Sequence, residues 1–292
     1  MIVAKISGGL GNQLFQYAKG RSYAIKQKKT LFLDLSWFEN KHGYTPRKFL
    51  LNNFDIKAKI MPGILTKCLQ TKMAKRLDKF VGGNYFYHPT LLDPIWEPAT
   101  PLIIKKNILL EGFWADSSHF IGNWEQLRPE FEFKSNYSNK EYNILVDLIN
   151  KSNSVSIHVR RGDYYLAREL SFFGILSAEY YKRAVDFIGN NIESPRFFLF
   201  TDDENLNINE FCSLANSINV SKLVNNDIME FNLMRLCKYN IIANSTYSWW
   251  AAFLNQYSGK IMIRPSKWYG DKIAQNCYEE GIVMTLPNSL TL

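Results

Sequence analysis

Cysteine and histidine are both scarce in this 292-residue chain, with four of each. Cys68, Cys212, Cys237 and Cys277 stand far apart and form no CxxC pair, which argues against a zinc knuckle or a disulfide framework and leaves them as reduced core thiols. His42, His88, His119 and His158 never fall at the i, i+4 spacing of a helical metal site, so no metal site is expected. There is no apolar run near the roughly 20 residues that span a bilayer, and residues 1–13 lack a charged start followed by an apolar stretch. The expected location is therefore the cytoplasm. Acidic residues are outnumbered, 27 against 35 Lys and Arg, which leaves a net charge of +8 and favours an anionic partner. The basic residues are scattered and follow no RNA-binding or helix-turn-helix pattern, so a phosphorylated small molecule fits better than nucleic acid.

What is present suffices for two cores. The chain is 46% hydrophobic and 15% aromatic, and its length fits two domains of roughly 100–150 residues each. It opens with a short β-branched run at residues 2–6, a glycine loop at 7–12, a helical pattern with Asn12 as its cap, and a strand at 30–34, which together make a βαβ unit. Residues 64–80, from Ile64 to Phe80, form a basic amphipathic helix that reads in two ways. It either packs on the core with a solvated basic face, or rests on anionic lipid as a peripheral contact at the inner face of the membrane. Residues 85–101 carry four prolines and read as an irregular connection, 107–113 as a strand, and 137–151 as a helix. The second half alternates regularly: strand 154–160, helix 178–188, strand 196–201, helix, short strand 222–224, helix 228–237, strand 239–243, helix 249–254 and strand 260–263. That pattern predicts an open parallel sheet with helices on both faces. The expected domains are 1–150 and 151–292, facing each other across a ligand crevice, with the last helix packing back on the first domain.

Four motifs carry chemistry. In HVRRGDY (158–164), strand alternation turns His158 and Arg160 to one face and Val159 and Arg161 to the other, at the carboxyl end where α/β sheets bind ligands. A guanidinium is permanently charged and forked to match phosphate oxygens, so Arg160 could neutralise a diphosphate without a metal. The plain alternative is a salt bridge from Arg160 or Arg161 to Asp163. In SGGLGNQ (7–13), Gly9 and Gly11 allow backbone amides close to a ligand, and the side-chain amides of Asn12 and Gln13 could bond sugar or phosphate oxygens. The loop has neither the lysine of a P-loop nor the GxGxxG spacing of a dinucleotide site. In FTDDENL (200–206), Asp202 and Asp203 could hold a divalent ion, pair with a base, or cap a helix. In NSTYSWWAAFLN (244–255), Ser245, Thr246, Tyr247 and Ser248 begin a helix whose N-terminus suits phosphate, with plain capping by Ser245 or Ser248 as the alternative. Trp249, Trp250 and Phe253 read as core.

Together and in this order, GGLGNQLFQYA, HVRRGDY, FTDDENL and NSTYSWWAAFL resemble the inverting α-1,2-fucosyltransferases of bacterial surface-polysaccharide pathways, over roughly residues 1–255. The resemblance implies a GT-B-like fold: two Rossmann-like α/β domains facing a central cleft, the second binding GDP-fucose and the first facing the acceptor. It implies Arg160 on the β-phosphate, Asp202 or Asp203 on the guanine side, and Ser245 and Thr246 on the phosphates. It also implies transfer of L-fucose from GDP-β-L-fucose to a galactoside 2-hydroxyl with inversion, in O-antigen-like surface glycan synthesis, with no divalent cation or other cofactor. The acceptor would be a galactose-containing oligosaccharide, lipid-linked if the helix at 64–80 meets the membrane. His158 and Asp163 are the candidates for a catalytic base. The alternative function is a metal-dependent transferase for another nucleotide sugar, with magnesium on Asp202 and Asp203.

Overall fold

The computed structural model describes residues 1–39, 46–63, 108–134, 139–162, 174–207, 217–266, 268 and 282–285. The chain divides into two units, Met1–Ser135 and Asn136–Leu292. The expected helix at 64–80, the irregular connection at 85–101, Asp163 and the last helix fall outside the described residues.

In the first unit, β1 (Ile2–Lys5), β2 (Leu31–Asp34), β3 (Lys59–Ile60) and β4 (Ile108–Leu110) form a parallel sheet in the order β3-β2-β1-β4. Ile2, Val3, Ala4, Leu31 and Leu33 are buried, as the β-branched and apolar composition predicts. The helix Leu10–Lys26 lies against β1 and β2 and buries most of its first four turns. It packs at glycine distance: a Cβ on Gly20 would sit 2.9 Å from Ala4 Cβ and 3.0 Å from Leu31 Cδ1. The helix cap is Gly9, not Asn12, which lies inside the first turn. The cause is Gly8, whose φ of +74° reverses the chain directly after β1 and starts the helix earlier than an asparagine cap would.

The second unit begins earlier than the expected 150/151 boundary. The helix Lys140–Lys151 belongs to it, capped by the Asn139 side chain, and Asn232 donates from the helix Asp227–Leu236 to the Tyr142 hydroxyl. The sheet contains β5 (Asn153–Val159), β6 (Pro195–Thr201), β7 (Ser217–Asn219), β8 (Tyr239–Ile241), β9 (Ile261–Pro265) and β10 (Ile282–Thr285), in the order β10-β9-β8-β5-β6-β7. All neighbours are parallel except β10, which runs antiparallel to β9 and was not foreseen. The strand expected at 222–224 is a turn. Leu223 is 52% exposed there, and the paired strand is β7, just upstream. The helix expected between β6 and β7 falls partly outside the described residues.

β5 shows how one strand serves two buried faces. Val155, Ile157 and Val159 join an apolar core with Tyr180, Tyr181, Ala184 and Ile188 of the helix Ala178–Asn191. The alternate residues Ser154, Ser156 and His158 are polar and equally buried. Ser154 Oγ accepts from the Lys238 backbone N–H at 3.1 Å, and Ser156 Oγ accepts from Asn240 Nδ2 at 2.8 Å. These bonds offset the cost of burying hydroxyls in the sheet.

Candidate functional site

Counted from its first strand, the parallel part of the second sheet runs 3-2-1-4-5: the chain moves from β5 outward to β6 and β7, then returns to β8 and β9 on the other side of β5. Ligands of open α/β sheets bind at the carboxyl ends of the strands where this reversal occurs, here β5 and β8. Arg160, Arg161 and Gly162 leave β5 at that point, and Asn244, Ser245 and Thr246 leave β8. Asp202 follows β6 on the neighbouring side. Three of the four motifs therefore converge, although they are distant in sequence.

Arg160 Nη1 lies 2.9 Å from Asp202 Oδ2, with the two side chains 20% and 26% exposed. Asp202 Oδ1 accepts the Arg161 backbone N–H at 2.8 Å, and the Gly162 N–H also donates to this carboxylate. Burial pushes the Asp202 carboxyl up, but the Arg160 charge and these N–H donors outweigh it and hold it below the usual carboxylate range. Gly162 is required for the contact, since a Cβ there would stand 2.7 Å from Asp202 Oδ2 and 2.9 Å from its backbone oxygen. The ion pair of Arg160 is therefore with Asp202, a partner the sequence reading did not name; the alternative pairing with Asp163 lies outside the described residues. Asp203 closes its own turn, its Oδ1 accepting the Asn205 N–H at 3.0 Å.

His158 does not stand open beside Arg160. It is 4% exposed, its ring 5.7 Å from that of Tyr247, and its Nδ1 has no hydrogen-bond partner among the described residues. Burial, then the Arg160 charge, lowers its pKa to about 3 against a weaker opposing pull from Asp202, so the imidazole is neutral at neutral pH.

Past the end of β8, the helix Thr246–Phe253 starts at Ser245, whose side chain makes no capping bond. Ser248 Oγ donates back to the Ser245 carbonyl at 3.3 Å. The plain capping role of Ser245 is thereby set aside, and the N–H groups of the first turn are oriented toward the end of β8. The Tyr247 hydroxyl donates to the Asp227 carbonyl and its ring packs on Phe231, joining this turn to the neighbouring helix. Trp249 and Trp250 are core residues, 5% and 0% exposed.

Three contributors carry no signal in the sequence. The Tyr180 hydroxyl shares its one proton between the carbonyls of Ile242 (2.8 Å) and Ile263 (3.2 Å), and Tyr181 donates to the His158 carbonyl (3.1 Å), so one helical turn links β5, the end of β8 and β9. Glu230 accepts from Ser221 Oγ at 2.5 Å, and burial raises its pKa to about 7 despite that bond, with Asp227 and Asp202 adding to the rise. In sequence, Glu230 reads only as one more acidic residue in the first turns of a helix capped by Asn226.

In the first unit, Gln13 is fully buried and its amide is committed. Nε2 donates to the carbonyls of Gly8 (2.9 Å) and Lys48 (2.8 Å), and Oε1 accepts the Leu50 N–H (2.9 Å). It anchors the glycine loop and is not available to a ligand, which corrects its expected role. Gly11 is likewise buried within the helix. Gly9 has open space where a Cβ would stand, so it keeps the backbone exposure a ligand would need. Asn12 lies on the same first turn, near Gly8.

Among the described residues there is no group of three His, Cys, Asp or Glu side chains able to hold a metal ion, and no helix long and apolar enough to cross a membrane. The family model for glycosyl transferase family 11 matches residues 90–283, which takes in the whole arginine, aspartate and serine constellation. The chain is 30% identical over 285 residues to an alpha-1,2-colitosyltransferase of Escherichia coli, covering 92% of each chain. It is 32% identical over 290 residues to the O-antigen biosynthesis glycosyltransferase WbnK of the same organism, covering 90% of this chain and 93% of the other. A galactoside alpha-(1,2)-fucosyltransferase 1 of Leontocebus fuscicollis is 27% identical over 164 residues, covering 50% of this chain and 42% of the other.

Proposed function

Since the chain belongs to glycosyl transferase family 11, we propose that it transfers L-fucose from GDP-β-L-fucose to the 2-hydroxyl of a galactoside, with inversion, in the synthesis of an O-antigen-like surface glycan. The observation that carries the reading is Arg160, a permanent cation placed where the second sheet reverses direction, with the start of the helix Thr246–Phe253 following the adjacent strand. Breaking the bond between C1 of fucose and the diphosphate leaves negative charge on GDP. A guanidinium already in position stabilises that charge without reorganising as it develops. The backbone N–H groups of Thr246, Tyr247 and Ser248 would approach the same phosphates at a helix N-terminus.

No divalent ion is needed in this scheme. Asp202 is poorly suited to magnesium, because its oxygens already serve Arg160 and two backbone donors. The names of the relatives favour α-1,2 transfer to a glycan but divide over the donor sugar, one naming colitose and another fucose.

The test is incubation with GDP-fucose, GDP-colitose and a UDP-sugar, each with lactose in EDTA, followed by mass and linkage analysis. An α-1,2-fucosylated product from GDP-fucose, undiminished by EDTA, is expected. Transfer only from another donor, or only after magnesium is restored, would overturn the proposal.

A further inference from the structure

We infer that Asp202 is a positioning residue, which holds the Arg160 guanidinium and the turn after β5 in place without itself touching the nucleotide. The inference rests on the reading of Arg160 as the cation for the leaving diphosphate. A carboxylate offers about four lone-pair sites. Asp202 spends them on Arg160 Nη1, the Arg161 N–H and the Gly162 N–H, leaving little for the donors of a guanine ring.

Its own backbone is fixed. The preceding Thr201 N–H donates to Ser221 Oγ at 2.9 Å, Ser221 donates to Glu230 at 2.5 Å, and the following Asp203 N–H donates to Thr201 Oγ1 at 3.1 Å. The end of β6 is thereby bolted to the helix Asp227–Leu236, and the carboxylate is a stationary post. A fixed carboxylate restricts the rotamers of the long arginine side chain before the donor arrives. The absence of a side chain at Gly162 belongs to the same device, because only a glycine lets the post stand against the turn.

A double-mutant cycle on turnover distinguishes this from a direct contact. Arg160→Ala is expected to lower kcat by about 100-fold or more. Asp202→Asn keeps the shape and an acceptor for the Arg161 N–H but loses the charge. It is expected to lower kcat by about 10- to 100-fold, the effect of a misplaced catalytic group. KM for the nucleotide sugar should stay within about threefold, and the preference for GDP over UDP should be unchanged. In the Arg160→Ala background, Asp202→Asn should cost less than about twofold more, because its effect passes through the arginine.

Gly162→Ala, which displaces the carboxylate sterically, is expected to behave in the same way, and thermal melts of each variant check that the fold persists. A further loss of about tenfold from Asp202→Asn in the Arg160→Ala background, or a lost preference for GDP, would overturn the role of Asp202 and leave that of Arg160 standing. Full activity of Arg160→Ala would overturn both.

Discussion

His158, on β5, and Arg160, just past its end, are two residues apart and meet opposite fates. The Arg160 charge is paired with Asp202, whereas His158 is buried beside Tyr247 and stays neutral. This predicts a pH dependence of stability. The folded state depresses the His158 pKa from 6.5 to about 3, so protonation favours the unfolded chain. The stability from the neutral ring is complete above about pH 6.5 and is lost progressively as pH falls toward about 3. His119 adds the same trend, its pKa lowered to about 4 by burial and then by the Lys19 charge, with Asp116 opposing. Urea midpoints measured between pH 7 and pH 4 should fall less steeply for His158→Gln than for the parent chain. Parallel slopes would show that His158 titrates normally in the fold.

At the scale of elements, what was legible followed from local periodicity. β5 was readable because its odd positions are apolar, and Arg160 was readable as its polar end. Gln13 was not, since a glutamine beside a glycine loop looks the same whether it faces a ligand or a wall, and its partners at Lys48 and Leu50 come from a separate segment. The Arg160–Asp202 pair was hidden for the same reason, being made only when β5 and β6 align. β10 escaped because it follows a stretch with no regular alternation.

Helix packing in the first unit gives a separate prediction. Replacing Gly20 with alanine gains about 1 kcal/mol of helix propensity. The added methyl meets Ala4 and Leu31 within 3.0 Å, and such overpacking costs typically about 1–3 kcal/mol, so net destabilisation by denaturant titration is expected. A stabilised variant would mean that the helix can lift from the sheet without loss.

The molecule as a whole has two α/β units in which the chain reverses direction beside the first strand, between β1 and β4 in one and between β5 and β8 in the other. The alternation of strands and helices in the sequence implies this architecture, but not the point where the units divide. That point depends on the helix Lys140–Lys151 packing with Asp227–Leu236, a contact between distant segments. Charge and composition favour an anionic partner, and the proposed function assigns a diphosphate to the three motifs that converge on the second unit. The most direct test is a crystal structure of the GDP complex grown in EDTA. The account predicts a β-phosphate oxygen within about 3 Å of the Arg160 guanidinium, at the ends of β5 and β8. GDP bound with both phosphates remote from Arg160 would contradict it.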